Sequence, residues 1–268
     1  MATKKKQSTW AIVLTIVLSL AAWYIKGQED KKRENAGYGD EAKSEKSANS
    51  RGAHSSSVSD RLAPPDQDSG SKPAISGGLV KFVDRDLPDN LLRELTLVKF
   101  KNREFDVLRN CTLIDHRNND GDSFHVKHSG EKTEFRLYYV DTPESRKHKH
   151  NGKRIQEQGE YFGGLSMQVT TEVGKIAKSF VKDLLKKPFT VVTKWEDVYT
   201  PERKYCYVIV KWQGRDVYLH ELLVLKGLVR IKTRGAALPD NTNYHNQKAN
   251  ILRMEAKVKA AKLGVWGM

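Results

Sequence analysis

Two short stretches decide the fold: DGDSFHV at residues 120–126 and FRLYYVDTPE at residues 135–144. In both stretches apolar and polar residues alternate, which is typical of half-buried β-strands. The intervening residues 129–132, Ser-Gly-Glu-Lys, predict a hairpin turn. Such a hairpin would bring two acidic clusters to one end of a sheet.

Working outward from this hairpin, the chain predicts strands followed by helices, an antiparallel and mixed α+β architecture. Strands are expected at residues 105–115, 123–128, 133–140, 189–195 and 205–212. Helices are expected at about residues 171–185, 219–226 and 246–263. The apolar residues of these helices recur at helical spacing, so we interpret them as faces of the core.

The chain has 268 residues and a net charge of +14, and the positive excess lies mainly after about residue 79. A basic folded region favours a polyanionic partner such as nucleic acid. The cysteines, Cys111 and Cys206, are too few for a disulfide scaffold. They are predicted to be buried thiols, although a disulfide stays open if the domain is exported.

An apolar run from Trp10 to Ile25 follows three lysines, which indicates a signal anchor or a signal peptide over residues 1–26. We favour a retained membrane anchor with the remainder of the chain extracytoplasmic. The alternative is secretion after cleavage near Ser19-Leu20-Ala21, where small residues occur.

Residues 27–78 are rich in small and charged residues and predict a disordered linker. Residues 79–104 form an N-terminal extension of unassigned function. Within it, residues 79–83 suggest a short strand and residues 87–95 a helical turn or two. The main domain would then span residues 105–268.

The acidic clusters supply the oxygen ligands that hard divalent cations prefer. Asp122 and Asp141 are the candidate carboxylates, the Thr142 carbonyl lies beside them, and Asp120 can reach a cation through water. An Asp-Gly-Asp sequence alone is most often a solvated turn. Its combination with the second cluster across a hairpin predicts a metal site, with calcium as the expected ion.

Two further residues indicate the type of reaction that this site catalyses. Glu144, just after Pro143, is placed to activate a water molecule, and Arg136 can neutralise charge that develops on phosphorus. Taken singly, Glu144 reads as a surface acid and Arg136 as a partner in an ion pair on a strand. Together with a metal they fit phosphodiester hydrolysis.

The stretch 112–144, with segments 214–228 and 255–266, resembles the staphylococcal (thermo)nuclease family over roughly residues 105–268. The resemblance implies an OB-type five-stranded β-barrel with three helices. It also implies a calcium-dependent nuclease that acts on DNA and RNA and leaves 5′-hydroxyl and 3′-phosphate ends.

On this resemblance, each candidate position has an implied role. Metal ligands are Asp122, Asp141, the Thr142 carbonyl and, through water, Asp120, and the catalytic residues are Arg136 and Glu144. A second catalytic arginine is expected at the start of the fourth strand. Arg203 is the first choice and Lys204 the alternative, because the usual Tyr-Gly before the arginine is missing.

The chain departs from the family's pattern a second time in the segment that is expected to bind a nucleotide. The tyrosines that pack a nucleotide in the family fall near Thr233-Arg234-Gly235, so Arg230, Lys232 and Arg234 are expected to hold phosphate instead. A basic loop next to the site contains Lys147, Lys149, Lys153 and Arg154, which are either solvated or in contact with substrate.

The competing interpretation is a non-catalytic nucleic-acid-binding module, since OB-type barrels can bind without catalysis. The presence of Asp122, Asp141, Glu144 and Arg136 argues against it. No protein partner is inferred from the sequence.

Overall fold

The structure is a computed structural model that describes residues 75–268. The predicted anchor and the predicted linker up to residue 74 lie outside the described residues and remain predictions. Across residues 75–268, none of the helices combines the length and the apolar character that crossing a membrane requires.

Strands and short sheet segments alternate with helices along the described chain. The strands are β1 (Asp106–Leu113), β2 (Ser123–His128), β3 (Glu131–Leu137), β4 (Val140–Asp141), β5 (Phe189–Val198), β6 (Thr200–Trp212), β7 (Arg215–Tyr218) and β8 (Arg230–Ile231). The helices are α1 (Ile75–Asp84), α2 (Asp89–Leu92), α3 (Gly152–Tyr161), α4 (Met167–Leu184), α5 (Leu219–Leu225) and α6 (Tyr244–Ala260), followed by a 3₁₀ turn at Gly264–Gly267.

Five strands close into a barrel in the order β3-β2-β1-β5-β6, and β7 extends β6 at its free edge. Closure comes from a parallel pairing of β3 with β6, in which Glu134 lies opposite Arg203 and Arg136 opposite Tyr205. The strands β4 and β8 form a separate two-stranded sheet. The predicted α+β fold with a five-stranded barrel is therefore confirmed for the described part of the chain.

The predicted hairpin is present, with β2 and β3 antiparallel and Ser123 opposite Arg136. Its turn is shorter than expected, because Ser129 and Gly130 both have positive φ angles, 46° and 88°, and form a two-residue connection. That combination is typical of a type I′ turn, which suits the twist of a hairpin. The third strand also ends earlier, at Leu137, since Tyr139 turns the chain with a φ of 69°.

The helices predicted from apolar periodicity are present as α4, α5 and α6. Helix α4 begins after Ser166, whose hydroxyl accepts a hydrogen bond from the Val169 amide as an N-cap. The sequence pattern does not predict helix α3, because the helix carries a single buried apolar side chain, Ile155. The described chain therefore has more helices than the three that were expected.

The predicted strand at residues 79–83 is wrong, since these residues belong to helix α1. Leu79 and Val83, one helical turn apart, are both buried, whereas Val80 is exposed. Contacts with the rest of the domain stabilise the helix. Lys226 Nζ lies 3.4 Å from the Phe82 carbonyl oxygen and also donates a hydrogen bond to the Arg85 carbonyl at the end of the helix. The helical turn expected near residue 90 is present as α2.

The predicted burial of both cysteines is confirmed. Cys111 and Cys206 are fully buried free thiols, and burial raises the pKa of each. They lie on β1 and β6 as part of the barrel core.

Candidate active site

The β2–β3 hairpin places the first acid and the first arginine side by side. Asp122 immediately precedes β2, and Arg136 lies near the end of β3 opposite Ser123. Arg136 Nη2 lies 3.6 Å from Asp122 Oδ2 and donates to Asp141 Oδ1 at 2.9 Å. One guanidinium therefore links the two predicted acidic clusters.

Asp141 is held from several sides. It lies on β4 opposite Arg230 of β8, and it is 2% exposed. Its two carboxylate oxygens accept hydrogen bonds from Arg136 Nη2 at 2.9 Å, Arg154 Nη2 at 2.6 Å, Arg230 Nε at 2.5 Å and Gln158 Nε2 at 3.1 Å. Burial alone would raise the pKa of Asp141, but the charges of the three arginines outweigh it and lower that pKa. Asp141 is therefore a firmly ionised carboxylate inside a cationic pocket.

Gln158, on α3, fixes the backbone around the second cluster. Its Nε2 donates to the Thr142 carbonyl at 3.0 Å, and its Oε1 accepts from the Glu144 amide at 3.0 Å. The side chain is fully buried. The Thr142 amide donates in turn to Asp122 Oδ2 at 2.9 Å, which ties the two clusters together.

Glu144 lies at the solvent edge of the site, with its side chain 21% exposed. Arg154 Nε lies 3.0 Å from Glu144 Oε1, and Asn151 Nδ2 donates to Glu144 Oε2 at 3.2 Å. The carboxylate is thus oriented on two sides while remaining accessible to water, which a general base requires.

Asp120 has a different environment. Its Oδ1 accepts a hydrogen bond from the Gly121 amide at 3.0 Å. Burial, with the like charges of Asp122 and Glu144, raises the pKa of Asp120 to about 7. Three acids therefore lie on one side of the site, and Asp120 is about half protonated near neutral pH.

Two glycines allow the loops of the site to pack closely. A Cβ on Gly121 would lie 2.6 Å from Thr142 Cγ2. A Cβ on Gly174, in the middle of α4, would lie 2.4 Å from the Glu144 carbonyl oxygen and 2.5 Å from that of Pro143. The Pro143–Glu144 backbone thus rests directly on helix α4.

Arg203 lies elsewhere along the barrel. Its Nε is 2.9 Å from Glu134 Oε1, and the residue of β6 that lies opposite Arg136 is Tyr205. The offset of two residues corresponds to about 7 Å along a strand. The alternative, Lys204, forms an ion pair with Asp197.

The expected phosphate contacts have mixed positions. Arg230 is buried against Asp141, with its side chain 6% exposed. Lys232 is exposed and lies 4.0 Å from Glu157, and Arg234 pairs with Glu196 at 3.0 Å. The structure therefore places Arg230 inside the site, whereas the other two remain toward the surface.

The sequence pattern gives two residues of the site too little weight. It places Arg154 in a basic loop that is either solvated or in contact with substrate, whereas Arg154 belongs to a helix, and it does not distinguish Gln158. Both belong to helix α3, whose weak apolar pattern gave no signal. A predicted helix here would have placed them on one face, since they are four residues apart.

The candidate ligand atoms are of the type that a hard divalent cation binds, because carboxylate and carbonyl oxygens are the ligands that calcium prefers. The Thr142 hydroxyl is buried without a hydrogen-bond partner, and the repulsion around Asp120 would be relieved by a cation. Within residues 75–268, no three His, Cys, Asp or Glu side chains converge to hold a metal. The oxygens of Asp141 face arginines and Gln158 instead.

A sequence model of the family described as Staphylococcal nuclease homologue matches residues 134–268. The match includes Arg136, Asp141 and Glu144 and begins after Asp120 and Asp122, which lie in the loop between β1 and β2. Because it covers half of the chain, and the described fold is a closed five-stranded barrel with helices, the chain belongs to the staphylococcal nuclease homologue family.

Proposed function

We propose that this protein is a calcium-dependent nuclease that hydrolyses phosphodiester bonds of DNA and RNA. The observation that carries the proposal is the group around the ionised Asp141: Arg136 contacts Asp141 directly, and Arg154 links Asp141 to Glu144. A solvent-accessible carboxylate in the same site as several guanidinium groups is suited to the hydrolysis of an anionic phosphodiester. Membership of a nuclease family supports the same reaction class.

In the proposed reaction, Glu144 accepts a proton from a water molecule as the water oxygen attacks phosphorus. The bond from phosphorus to the 5′ oxygen breaks, its electron pair stays on that oxygen, and solvent supplies the proton. Arg136 stabilises the negative charge that grows on the phosphoryl oxygens. The products have 3′-phosphate and 5′-hydroxyl ends.

Asp122, Asp141 and the Thr142 carbonyl would hold the calcium ion, with Asp120 acting through water. When bound, the ion supplies a Lewis acid that polarises a phosphoryl oxygen. For Asp141 to serve as a ligand, at least one of its guanidinium partners must move away from its carboxylate.

We further propose that the enzyme is exported and tethered to a membrane by residues 1–26, with the catalytic domain extracytoplasmic. Secretion after cleavage is the alternative. Support comes from the apolar run that follows three lysines. Extracellular calcium reaches millimolar concentrations, which suits a site of modest affinity.

One observation favours a second candidate, a nucleic-acid-binding module without catalysis. Each carboxylate oxygen of Asp141 already accepts hydrogen bonds from two donors. If these bonds persist in solution, the carboxylate is unavailable to a metal. The basic charge of the chain would then serve binding alone.

The test uses purified full-length protein, single-stranded and double-stranded DNA, and RNA, with calcium or with a chelator. We expect calcium-dependent cleavage, and a decrease of about 10²–10⁴-fold in the Glu144→Gln variant. Glu157→Gln is the matched control, since Glu157 is a partly exposed acid of the same helix α3. Binding is measured in parallel in chelator by fluorescence anisotropy.

Two results would contradict the nuclease proposal. In the first, Glu144→Gln cleaves as fast as the unmodified protein, so that the base is elsewhere. In the second, the unmodified protein binds nucleic acid but releases no product with calcium, which supports the binding module.

A further inference from the structure

We propose that Arg154, rather than Arg203, supplies the second guanidinium of the active site, an inference that rests on the proposed nuclease function. Arg154 contacts two acids of the site, Asp141 Oδ1 through Nη2 at 2.6 Å and Glu144 Oε1 through Nε at 3.0 Å. It therefore bridges the buried carboxylate and the expected general base.

Helix α3 holds Arg154 in this position. The neighbouring Ile155 is fully buried, and Gln158, one turn further, is anchored to the backbone of Thr142 and Glu144. Side chains four residues apart lie on the same face of a helix. The helix therefore presents Arg154 to the site with the same face that fixes the acidic loop.

The three arginines around Asp141 differ in exposure. The side chains of Arg136 and Arg230 are 7% and 6% exposed, whereas that of Arg154 is 30% exposed. All three guanidinium groups hold Asp141 in its ionised state. Arg154 is the one that the phosphate of a substrate can approach most easily from solvent.

Arg203 is oriented toward another acid. Its partner Glu134 lies directly opposite it in the β3–β6 pairing and is also 3.9 Å from His125. This group lies further along the strands than Arg136. The charge of Arg203 is thus compensated within the barrel wall rather than at the Asp141 pocket.

The inferred role is direct contact with the reacting group. As water attacks phosphorus and Glu144 takes its proton, charge grows on the non-bridging oxygens of the phosphate. Arg154 donates hydrogen bonds to one of these oxygens, and a planar guanidinium suits this contact better than an ammonium does. No proton moves to or from Arg154 in this step.

The test compares full-length Arg154→Ala, Arg154→Lys and Arg203→Ala variants on the same substrate, with Lys187→Ala as control. Lys187 is an exposed lysine that follows α4 and belongs to no part of the site, so its removal changes the net charge without changing the site. We expect Arg154→Ala to lower kcat by about 10²–10³-fold, with a much smaller change in KM. Arg203→Ala and Lys187→Ala should each retain kcat within about threefold, which is the range of ordinary context effects on surface positions.

Added guanidinium ion provides a readout that a purely structural role would not move. It should restore part of the kcat of Arg154→Ala and leave Arg203→Ala unchanged. Lysine should substitute poorly, because an ammonium cannot make the same planar, paired contact.

Three outcomes would overturn the inference. Arg203→Ala losing activity while Arg154→Ala keeps it would return the role to Arg203. If Arg154→Ala fails to fold, the Arg154→Lys variant, which keeps the positive charge, provides the test. A kcat of Arg154→Lys equal to that of the unmodified protein would overturn the inference. Absence of calcium-dependent cleavage by the unmodified protein removes the proposed function itself, which is a distinct result.

Discussion

Asp120 and Asp141 lie at the same end of the barrel and have opposite surroundings. Asp141 is enclosed by three arginines and Gln158, and its pKa is lowered despite its burial. Asp120 is partly buried beside Asp122 and Glu144, and its pKa is raised to about 7. The same side chain is therefore a fixed anion in one place and half protonated near neutral pH in the other.

The comparison shows that the site separates its charges. One side is a cationic pocket formed by Arg136, Arg154 and Arg230, and the other is a group of acids that repel one another. Glu144 lies between them, since Arg154 pairs with it and its charge contributes to the raised pKa of Asp120. An anionic phosphate would be attracted to the first side and a divalent cation to the second.

The largest effect should come from removing the charge of the enclosed acid. In Asp141→Asn, three guanidinium groups lose their shared partner in a buried site, and breaking such a buried arrangement costs about 3–5 kcal/mol. We expect the free energy of unfolding to decrease by that amount in urea titrations, together with loss of cleavage. Asp216→Asn is the control, because Asp216 pairs with Lys211 on the surface.

A surface ion pair contributes only about 0–1 kcal/mol. If Asp141→Asn were no more destabilising than Asp216→Asn, the arginines would not depend on Asp141 and the cationic pocket would not be a structural unit.

The contrast between the two aspartates could be predicted only in part from sequence. Alternation and the turn residues place Asp122 and Arg136 on one hairpin, because local pattern determines register in a short hairpin. Of the partners of Asp141, only Arg136 belongs to this hairpin. The others come from α3 and β8, two short elements with little apolar pattern. The same limit explains the helix at residues 75–84, where burial of Leu79 and Val83 follows from packing on the domain.

The position of the second arginine shows a different limit. The resemblance to the family implies a second catalytic arginine near the start of β6, with Arg203 as the first choice and Lys204 as the alternative. Which residue lies opposite Arg136 depends on the β3–β6 register, and this register places Arg203 opposite Glu134, two residues along the strand from Arg136. That register becomes visible only in the closed barrel, where Tyr205 occupies the position.

The next largest effect tests the neutral part of the pocket. Gln158→Leu removes the hydrogen bonds to Asp141 and Thr142 and leaves the Glu144 amide without its acceptor. Buried hydrogen bonds contribute about 1 kcal/mol each, so we expect a loss of about 2–3 kcal/mol. Because the Glu144 backbone loses its support, kcat should also decrease.

Gln156→Leu serves as the comparison in the same helix, since Gln156 is exposed and bonds only to Glu160 among the contacts that the structure records. Thermal unfolding and cleavage are measured for both variants. Equal stability of the two would show that charge alone maintains the pocket.

A smaller effect is expected from moving the loop that carries Glu144. In Gly174→Ala the new methyl group would lie 2.4 Å from the Glu144 carbonyl oxygen, so helix α4 and the loop must separate. Overpacking costs about 1–3 kcal/mol, and a clash with backbone atoms belongs to the upper part of that range, about 2–3 kcal/mol. The better helix propensity of alanine returns about 1 kcal/mol, so we expect a net loss of about 1–2 kcal/mol and a lower kcat.

Gly152→Ala is the control for this change, because no atom lies within 4 Å of the new Cβ at that helix start. Chemical unfolding of both variants, with kcat measured at saturating substrate, gives the comparison. A neutral Gly174→Ala variant with full activity would mean that the loop does not need its contact with α4.

The smallest expected effect is a gain in stability, and it comes from replacing Asp120, the acid that is repelled by its neighbours. The pKa of Asp120 is about 7 in the folded protein and near 3.8 without its surroundings, so the folded state binds the proton more tightly. Ionisation of Asp120 therefore costs stability as the pH rises from about 4 to about 7, and below this range it costs nothing. Asp120→Asn removes this cost, so the free energy of unfolding of the variant should equal that of the unmodified protein at pH 4 and exceed it at pH 8.

Each unit of difference between the two pKa values is worth about 1.4 kcal/mol, but solvent around this partly exposed residue reduces the effect, so we expect a gain on the order of 1 kcal/mol. Unfolding is measured in chelator at both pH values, with the exposed Asp115→Asn as control. A loss of stability at pH 8 would show that Asp120 is held as an anion like Asp141, and the separation of charge across the site would then be wrong.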